Sequence, residues 1–476
     1  MQARLLPDAV QEAALLAPLD LADAAQPPKK VSAGEVGAEV LLVHQAYRFA
    51  LDPTPRQQRA LSSATGGARF AYNWGLALVK ERLDARAAGQ DVTAPWTLAA
   101  LRREWNQAKH EVAPWWRENS KEAYSSGLDG LSRALGNFSA SRAGTRKGRQ
   151  VGFPRFKRKH RARESCRFTT GAIRVEPDRH HVTLPRLGMI RTHESTRKLA
   201  RRLEQGTARI LSATISQQAG RWFVSFTVEV QRRQGRPRQF ASTVGVDVGI
   251  RHLAVLSTGE QIANPRPLER LQRRRRRLQR RWSRQDRARR AAGRRQAGRR
   301  QQATRRRLAR LETRAANLRR DALHQLTSRL VREHGTVVVE QLNVSGMVRN
   351  RRLARAISDA GFGEIRRLLA YKAPWSGVRL VVAEPFFPSS KTCSACGHVK
   401  AKLSLSEPVF RCEACGLALD RDLNAARNLA ALVAGSGPET SINACGRDCQ
   451  STGDGGRSGN PDPDREAAGS QQPVRV

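Results

Sequence analysis

Cys393-Ser-Ala-Cys396-Gly397, then Cys412-Glu-Ala-Cys415-Gly416, then Leu419-Asp420-Arg421-Asp422-Leu423-Asn424-Ala425-Ala426-Arg427-Asn428 follow one another closely, thiols first and carboxylates after. Fifteen residues separate Cys396 from Cys412. Two Cys-x-x-Cys pairs at that spacing supply enough thiolates to close a tetrahedral zinc shell, with no position left open for a substrate. The centre predicted on Cys393, Cys396, Cys412 and Cys415 is therefore structural. Directly after it come Asp420 and Asp422, opening a predicted helix over 424–433, where a carboxylate can hold a hard cation.

Working outward, two more acids stand at the ends of apolar runs. Thr243-Val-Gly-Val-Asp247-Val-Gly249 reads as a strand that presents Asp247, with a hairpin predicted over 251–262. Glu333-His-Gly-Thr-Val-Val-Val-Glu340 is a β-branched run suited to a buried central strand. Its terminal Glu340 is costly to bury without a partner. A mixed α/β sheet can bring Asp247, Glu340 and Asp422 together. Carboxylates gathered in one spot repel unless divalent cations lie among them. Two magnesium ions in such a site are the arrangement that phosphodiester cleavage uses, with no side-chain nucleophile.

Charge points to the same chemistry. The chain has 476 residues with 86 Lys and Arg against 42 Asp and Glu, a formal net charge of +44. A field of that size calls for a polyanion, nucleic acid first among them, and sets aside an enzyme of small neutral substrates. No apolar run approaches the roughly 20 residues of a spanning helix, so no membrane partner is expected. The seven cysteines are odd in number and show no disulfide framework, which suits a reducing compartment. No signal-peptide pattern is present. A cytoplasmic, nucleoid-associated location follows as an expectation.

The rest of the chain divides by composition. Residues 1–44 are Ala-rich and acidic, and are expected to be a disordered leader. A short strand over 47–51 precedes a helix start in which Thr54 caps, Pro55 takes the first position and Gln57 closes a capping box. The interleaved aromatic and small residues of 68–75 read as helix-packing core, with Arg69 a candidate nucleic-acid contact. The basic, aromatic loop over 142–163 adds Arg155 and Lys157. Residues 166–230 alternate as strands, with a hairpin turn at 217–220. Residues 266–320 read as two Arg-rich amphipathic helices in a hairpin, turning near Gly293 and Gly298. One apolar stripe is expected to run through Leu308, Leu311, Ala315, Leu318 and Ala322. Arg274, Arg275 and Arg276 of this hairpin are candidates to contact nucleic acid. The Gly-, Ser- and Pro-rich tail is expected to be disordered.

In their order and joint presence, Gly245-Val-Asp247-Val-Gly249, Val339-Glu340-Gln-Leu-Asn343, Ser389-Ser-Lys-Thr-Cys393, the second cysteine pair and Asp420-Arg-Asp422-Leu-Asn424-Ala-Ala resemble the TnpB proteins of insertion sequences. These are compact relatives of type V CRISPR effector nucleases. The resemblance covers roughly residues 45–435. It implies an α/β multidomain architecture: an RNase H-like RuvC nuclease domain with an inserted zinc ribbon, a β-barrel wedge domain and a helical recognition lobe. The implied divisions are a first wedge strand at 45–52, the helix-turn-helix-like lobe at 53–150 and the wedge at 151–238. RuvC segments at 239–263, 321–387 and 419–436 follow, interrupted by the Arg-rich hairpin at 264–320 and the ribbon at 388–418, with the tail at 437–476. It implies an RNA-guided, metal-dependent DNA endonuclease with catalytic acids Asp247, Glu340 and Asp422. Two catalytic magnesium ions and one structural zinc are the implied cofactors. The implied partners are a guide RNA from the element end, double-stranded target DNA and a single-strand transposase of the same element. Two other readings stay open on the residues alone: a DDE-like transposase performing strand transfer, and a non-catalytic DNA-binding regulator of transposition.

Overall fold

The computed structural model describes residues 29–31, 40–159, 161–404 and 407–434. The tail expected at 437–476 lies outside the described residues, as does most of the leader. The described part of the leader contradicts that expectation, because it is strand. β1 (Lys29–Val31) pairs antiparallel with β2 (Val40–Ala50). β2 starts well before the expected 47–51 because Leu41 and Val43 already alternate into the core.

The helical lobe comprises α1 (Pro55–Ala87), α2 (Leu98–Val112) and α3 (Lys121–Arg142). Its entry is the expected capping box: the Gln57 N–H donates to Thr54 Oγ1 at 3.3 Å, and the Thr54 N–H donates to Gln57 Oε1 at 2.9 Å. Ala71, Tyr72 and Leu76 of α1 pack with Leu128 and Leu131 of α3, so the aromatic stretch is core, as its composition predicts. The helices cross at Gly127, where a Cβ would lie 2.0 Å from the Ala68 carbonyl oxygen.

Next come β3 (Ser165–Phe168), β4 (Arg174–Val175), β5 (His181–Leu184), β6 (Gly188–Arg191), α4 (Arg197–Glu204), β7 (Ala208–Gln218) and β8 (Arg221–Arg233). One antiparallel sheet runs β1-β2-β8-β7-β3 and a smaller one β4-β5-β6. Phe168, Leu184, Ile190, Val224 and Phe226 form a core shared by both. Where a barrel was expected, the pairings among the described residues leave β1 and β3 as edges. The β7–β8 turn falls where predicted: Ala219 and Gly220 have φ of 52° and 77°, the two left-handed residues of a type I′ hairpin.

The C-terminal part is built on β9 (Gln239–Asp247), β10 (His252–Leu256) and β11 (Gln261–Ala263). The helices α5 (Pro267–Arg270), α6 (Gln272–Ala291) and α7 (Arg299–Glu333) lead into β12 (His334–Val339). After α8 (Val344–Met347), α9 (Ala354–Ala360) and α10 (Phe362–Trp375) comes β13 (Arg379–Val382). The sheet order is β11-β10-β9-β12-β13, with β12 parallel to both neighbours and β9 antiparallel to β10. Val337, Val338 and Val339 are buried at its centre. The chain closes with the hairpin β14 (Val409–Arg411) and β15 (Ala418–Asp420), then α11 (Arg421–Ala434).

The Arg-rich hairpin forms as expected, but α7 runs on to Glu333 and its stripe differs. Leu318 is 45% exposed, and the buried face passes from Leu311 and Ala315 to Leu323, Leu326 and Leu330. The cause is Arg319, four residues beyond Ala315. Its guanidinium reaches the buried Asp359, with Nε 3.0 Å from the carbonyl oxygen and Nη2 3.3 Å from Oδ1.

Candidate functional site

Strand register brings the first two acids together. Val339 of β12 pairs with Val246 of β9 in parallel, so Glu340 and Asp247 leave the sheet side by side. The third acid depends on a glycine. A Cβ on Gly245 would lie 2.0 Å from the Ala426 carbonyl oxygen and 2.6 Å from the Ala430 nitrogen. Because Gly245 has none, α11 lies directly on β9, and its first turn delivers Asp422 to the end of the same strand. A Cβ on Gly249 would sit 4.0 Å from Asp422 Oδ2, so that carboxylate lies beside the Asp247-Val-Gly249 loop.

The electrostatics follow from this convergence. Burial pushes the Asp247 carboxyl well above the usual carboxylate range, and the neighbouring Glu340, Asp422 and Asp420 carboxylates add to the rise against the opposing Arg421. Arg421 Nη2 lies 3.4 Å from Asp422 Oδ1. Hard oxygen donors gathered around one buried carboxyl are a donor set suited to a divalent cation, which would take the place of the Asp247 proton. Asp420 serves the helix instead. Its Oδ1 accepts from the N–H groups of Asp422 (3.0 Å) and Leu423 (3.1 Å), so it is the N-cap of α11.

The cysteine centre sits immediately beside this site. Ligand atoms of Cys393, Cys396, Cys412 and Cys415 all lie within 4.8 Å of one another. The Cys393–Cys415 and Cys396–Cys412 sulfur separations are both 3.6 Å. A tetrahedron with metal–sulfur bonds of about 2.3 Å has edges of about 3.8 Å, so the four thiols fit such an ion. Each pair turns on a left-handed glycine, Gly397 (φ 76°) and Gly416 (φ 72°), whose N–H donates to the carbonyl of the first cysteine at 3.0 and 3.2 Å. Although burial opposes it, backbone N–H groups of Cys396 and Ala395 lower the Cys393 thiol, while the crowding of the four sulfurs raises Cys396 and Cys415, so the thiols share their protons until a cation displaces them.

Three residues without an assigned role at the sequence level tie the two centres together. Asn424 Oδ1 accepts from the Ser394 N–H at 2.9 Å, and its Nδ2 donates to the Thr392 carbonyl at 2.7 Å. Asn428 Nδ2 donates to the carbonyls of Ser389 (2.7 Å) and Thr392 (2.6 Å). Ser389 Oγ donates in turn to Glu340 Oε1. Both asparagines are buried on α11, one turn apart. The signal was available, since amides at i and i+4 on a helix share a face and buried amides require partners.

The candidate nucleic-acid contacts do not gather in one place. Arg274 and Arg276 are exposed on α6, whereas Arg275 Nε is paired with Glu312 of α7 at 3.2 Å. Arg155 is exposed in the basic loop, but Lys157 lies over the Tyr72 ring, its Nζ 3.8 Å from the centroid. Burial lowers the Lys157 amine to about 8. Asn73 holds its backbone on both sides, at 2.8 and 3.0 Å. Arg69 is half-buried on α1.

A mixed sheet that gathers carboxylates beside a four-cysteine cluster, in a chain of strong net positive charge, defines a mixed α/β protein with a candidate metal centre. Comparison with known proteins places it. The OrfB_IS605 family, described as "Probable transposase", matches residues 225–351. The Cas12f1-like TNB domain matches 362–429, and the helix-turn-helix domain of the OrfB group matches 43–87. A "Putative RNA-guided DNA endonuclease" of Mycobacterium tuberculosis is 42% identical over 406 residues, covering 81% of this chain and 86% of that protein. Relatives carrying the same description are 36% identical in Streptomyces pristinaespiralis (85% and 91% coverage) and, as InsQ of Escherichia coli K12, 31% identical (86% and 95%). The chain belongs to the TnpB family of insertion-sequence proteins.

Proposed function

We propose that the protein is a transposon-encoded, RNA-guided DNA endonuclease that hydrolyses phosphodiesters at Asp247, Glu340 and Asp422. The observation that carries the reading is the convergence of these acids at the ends of β9, β12 and the start of α11, with Asp247 driven to a raised pKa by burial and by the other two. The sheet with its ribbon is read as a RuvC-type domain. Divalent cations, magnesium by the hardness of the donors, supply an activated water and neutralise the departing oxygen when bound. The chain's own part is to hold the carboxylates in place. Asp420 fixes the α11 start, Ser389 orients Glu340, and Arg421 offsets the charge of Asp422. Zinc is the ion for the cysteine tetrahedron, where it braces the ribbon and has no open position for chemistry.

The division of labour gives sequence reading to a guide RNA from the element end and backbone contact to the protein. The excess of cationic side chains suits the protein to that contact. The proposed setting is the cytoplasm, on nucleoid DNA, alongside a single-strand transposase of the same element. Sequencing the RNA that co-purifies with the protein supplies the guide. Programmed plasmid cleavage then tests the activity. Asp247→Ala is expected to lower cleavage by about a thousandfold or more while RNA still co-purifies. A variant that cuts as the wild type does would remove Asp247 from the site.

A further inference from the structure

The segment Pro385-Phe386-Phe387-Pro388 joins β13 to the ribbon and splits its two phenylalanines. Phe387 packs against Val338, Ala383 and Leu429. Phe386 is 93% exposed, more than any other large apolar side chain among the described residues. Its backbone is left-handed, φ 66°, a conformation disfavoured for a bulky L-residue and open to glycine. Neither burial nor backbone preference accounts for phenylalanine at this position. The loop is nevertheless rigid. A proline flanks the pair on each side, the Phe387 N–H donates to the Glu384 carbonyl at 3.2 Å, and the Ser389 N–H donates to the Phe387 carbonyl at 2.8 Å.

The place of the ring relative to the acids gives it a partner. Ser389, whose Oγ donates to Glu340, is three residues from Phe386. Three residues of extended chain span at most about 10 Å between their Cα atoms, so the ring stands within a few nucleotides of any strand held at the acids. We propose that Phe386 is a stacking platform for an unpaired base of the DNA strand held at the Asp247–Glu340–Asp422 site. An exposed ring that is already held outward loses little conformational freedom on stacking, and every base offers a π-face. A base inside a duplex has both faces covered by its neighbours. The platform therefore selects single-stranded DNA close to the cut. This inference rests on the endonuclease reading.

The test uses the full chain loaded with its guide RNA and target duplexes carrying one abasic nucleotide, moved one position at a time around each cut. For wild type, one position near the cut is expected to slow cleavage about 5- to 100-fold. Phe386→Ala is expected to be slower by a similar factor on intact DNA and indifferent to that abasic position, and Phe386→Trp to restore both rate and sensitivity. Guide binding and metal content stay at wild-type levels in each variant. In parallel, 2-aminopurine placed along a single strand is read by fluorescence with the Asp247→Ala protein and with Asp247→Ala/Phe386→Ala. Quenching that depends on Phe386 supports the platform without any cleavage. Wild-type cleavage by Phe386→Ala, an abasic penalty unchanged in that variant, or quenching independent of Phe386 overturns it. Loss of cleavage in wild type itself counts against the endonuclease reading, and leaves the quenching measurement to decide the platform.

Discussion

At the scale of the single residue, Asp247 carries a conflict between stability and chemistry. Its folded-state pKa is raised by burial and by the carboxylates around it, above the ordinary value of about 3.9. A protonated Asp247 favours the folded state. Once pH rises through the folded-state pKa, the ionised group works against folding, because the unfolded chain accommodates that charge more readily. In chelator at neutral pH, Asp247→Asn is expected to stabilise the protein by on the order of 1 kcal/mol while losing cleavage. Thermal melts of both proteins check this. The gap should close as pH is lowered, and magnesium should raise the wild-type Tm and leave the variant nearly unmoved. Asp247, Glu340 and Asp422 were legible because each ends an apolar run or opens a helix, where a charge stands out. The bond from Ser389 to Glu340 was not, since the motif Ser389-Ser-Lys-Thr-Cys393 marks the segment without saying what its hydroxyl meets.

At the scale of elements, the contact between β9 and α11 decides whether the third acid arrives. The glycine in Gly245-Val-Asp247 was visible in the sequence, but its reason was not. That reason is a helix backbone supplied by residues 426–430, far along the chain from the strand it meets. Gly245→Ala forces its Cβ into backbone atoms that have no rotamer to give way. A destabilisation of about 3 kcal/mol is expected, together with loss of cleavage. Denaturant titration and a cleavage assay under conditions where the variant is folded separate the two effects. The strands, hairpins and helix caps were readable from local periodicity. The exposed Leu318 was misjudged because a stripe counted by threes and fours ignores what lies opposite, and Arg319 found a buried carboxylate there. The start of β2 was misplaced for a related reason: the composition of the leader outweighed an alternation only a few residues long.

At the scale of the whole molecule, net charge sets the response to salt. Affinity for guide RNA or DNA should fall steeply between low and physiological ionic strength, with a log–log slope that counts displaced counterions. Arg274→Gln should reduce that slope by about one unit. Arg275→Gln should leave it nearly unchanged, because its guanidinium already serves Glu312. Filter binding across a salt series distinguishes them. The wide spacing of the acids along the chain has one more consequence, for biosynthesis. Asp247 and Asp422 are 175 residues apart (422 − 247). At about 5–20 residues per second, a ribosome needs roughly 10–35 s after making the first acid before it makes the last. The Arg-rich hairpin at 264–320 is made within that interval, so the nascent chain carries much of its cationic charge before it carries Asp422, the acid proposed to complete the carboxylate site. On the proposed function, a chain that stops before Asp422 is therefore expected to bind nucleic acid without cutting it.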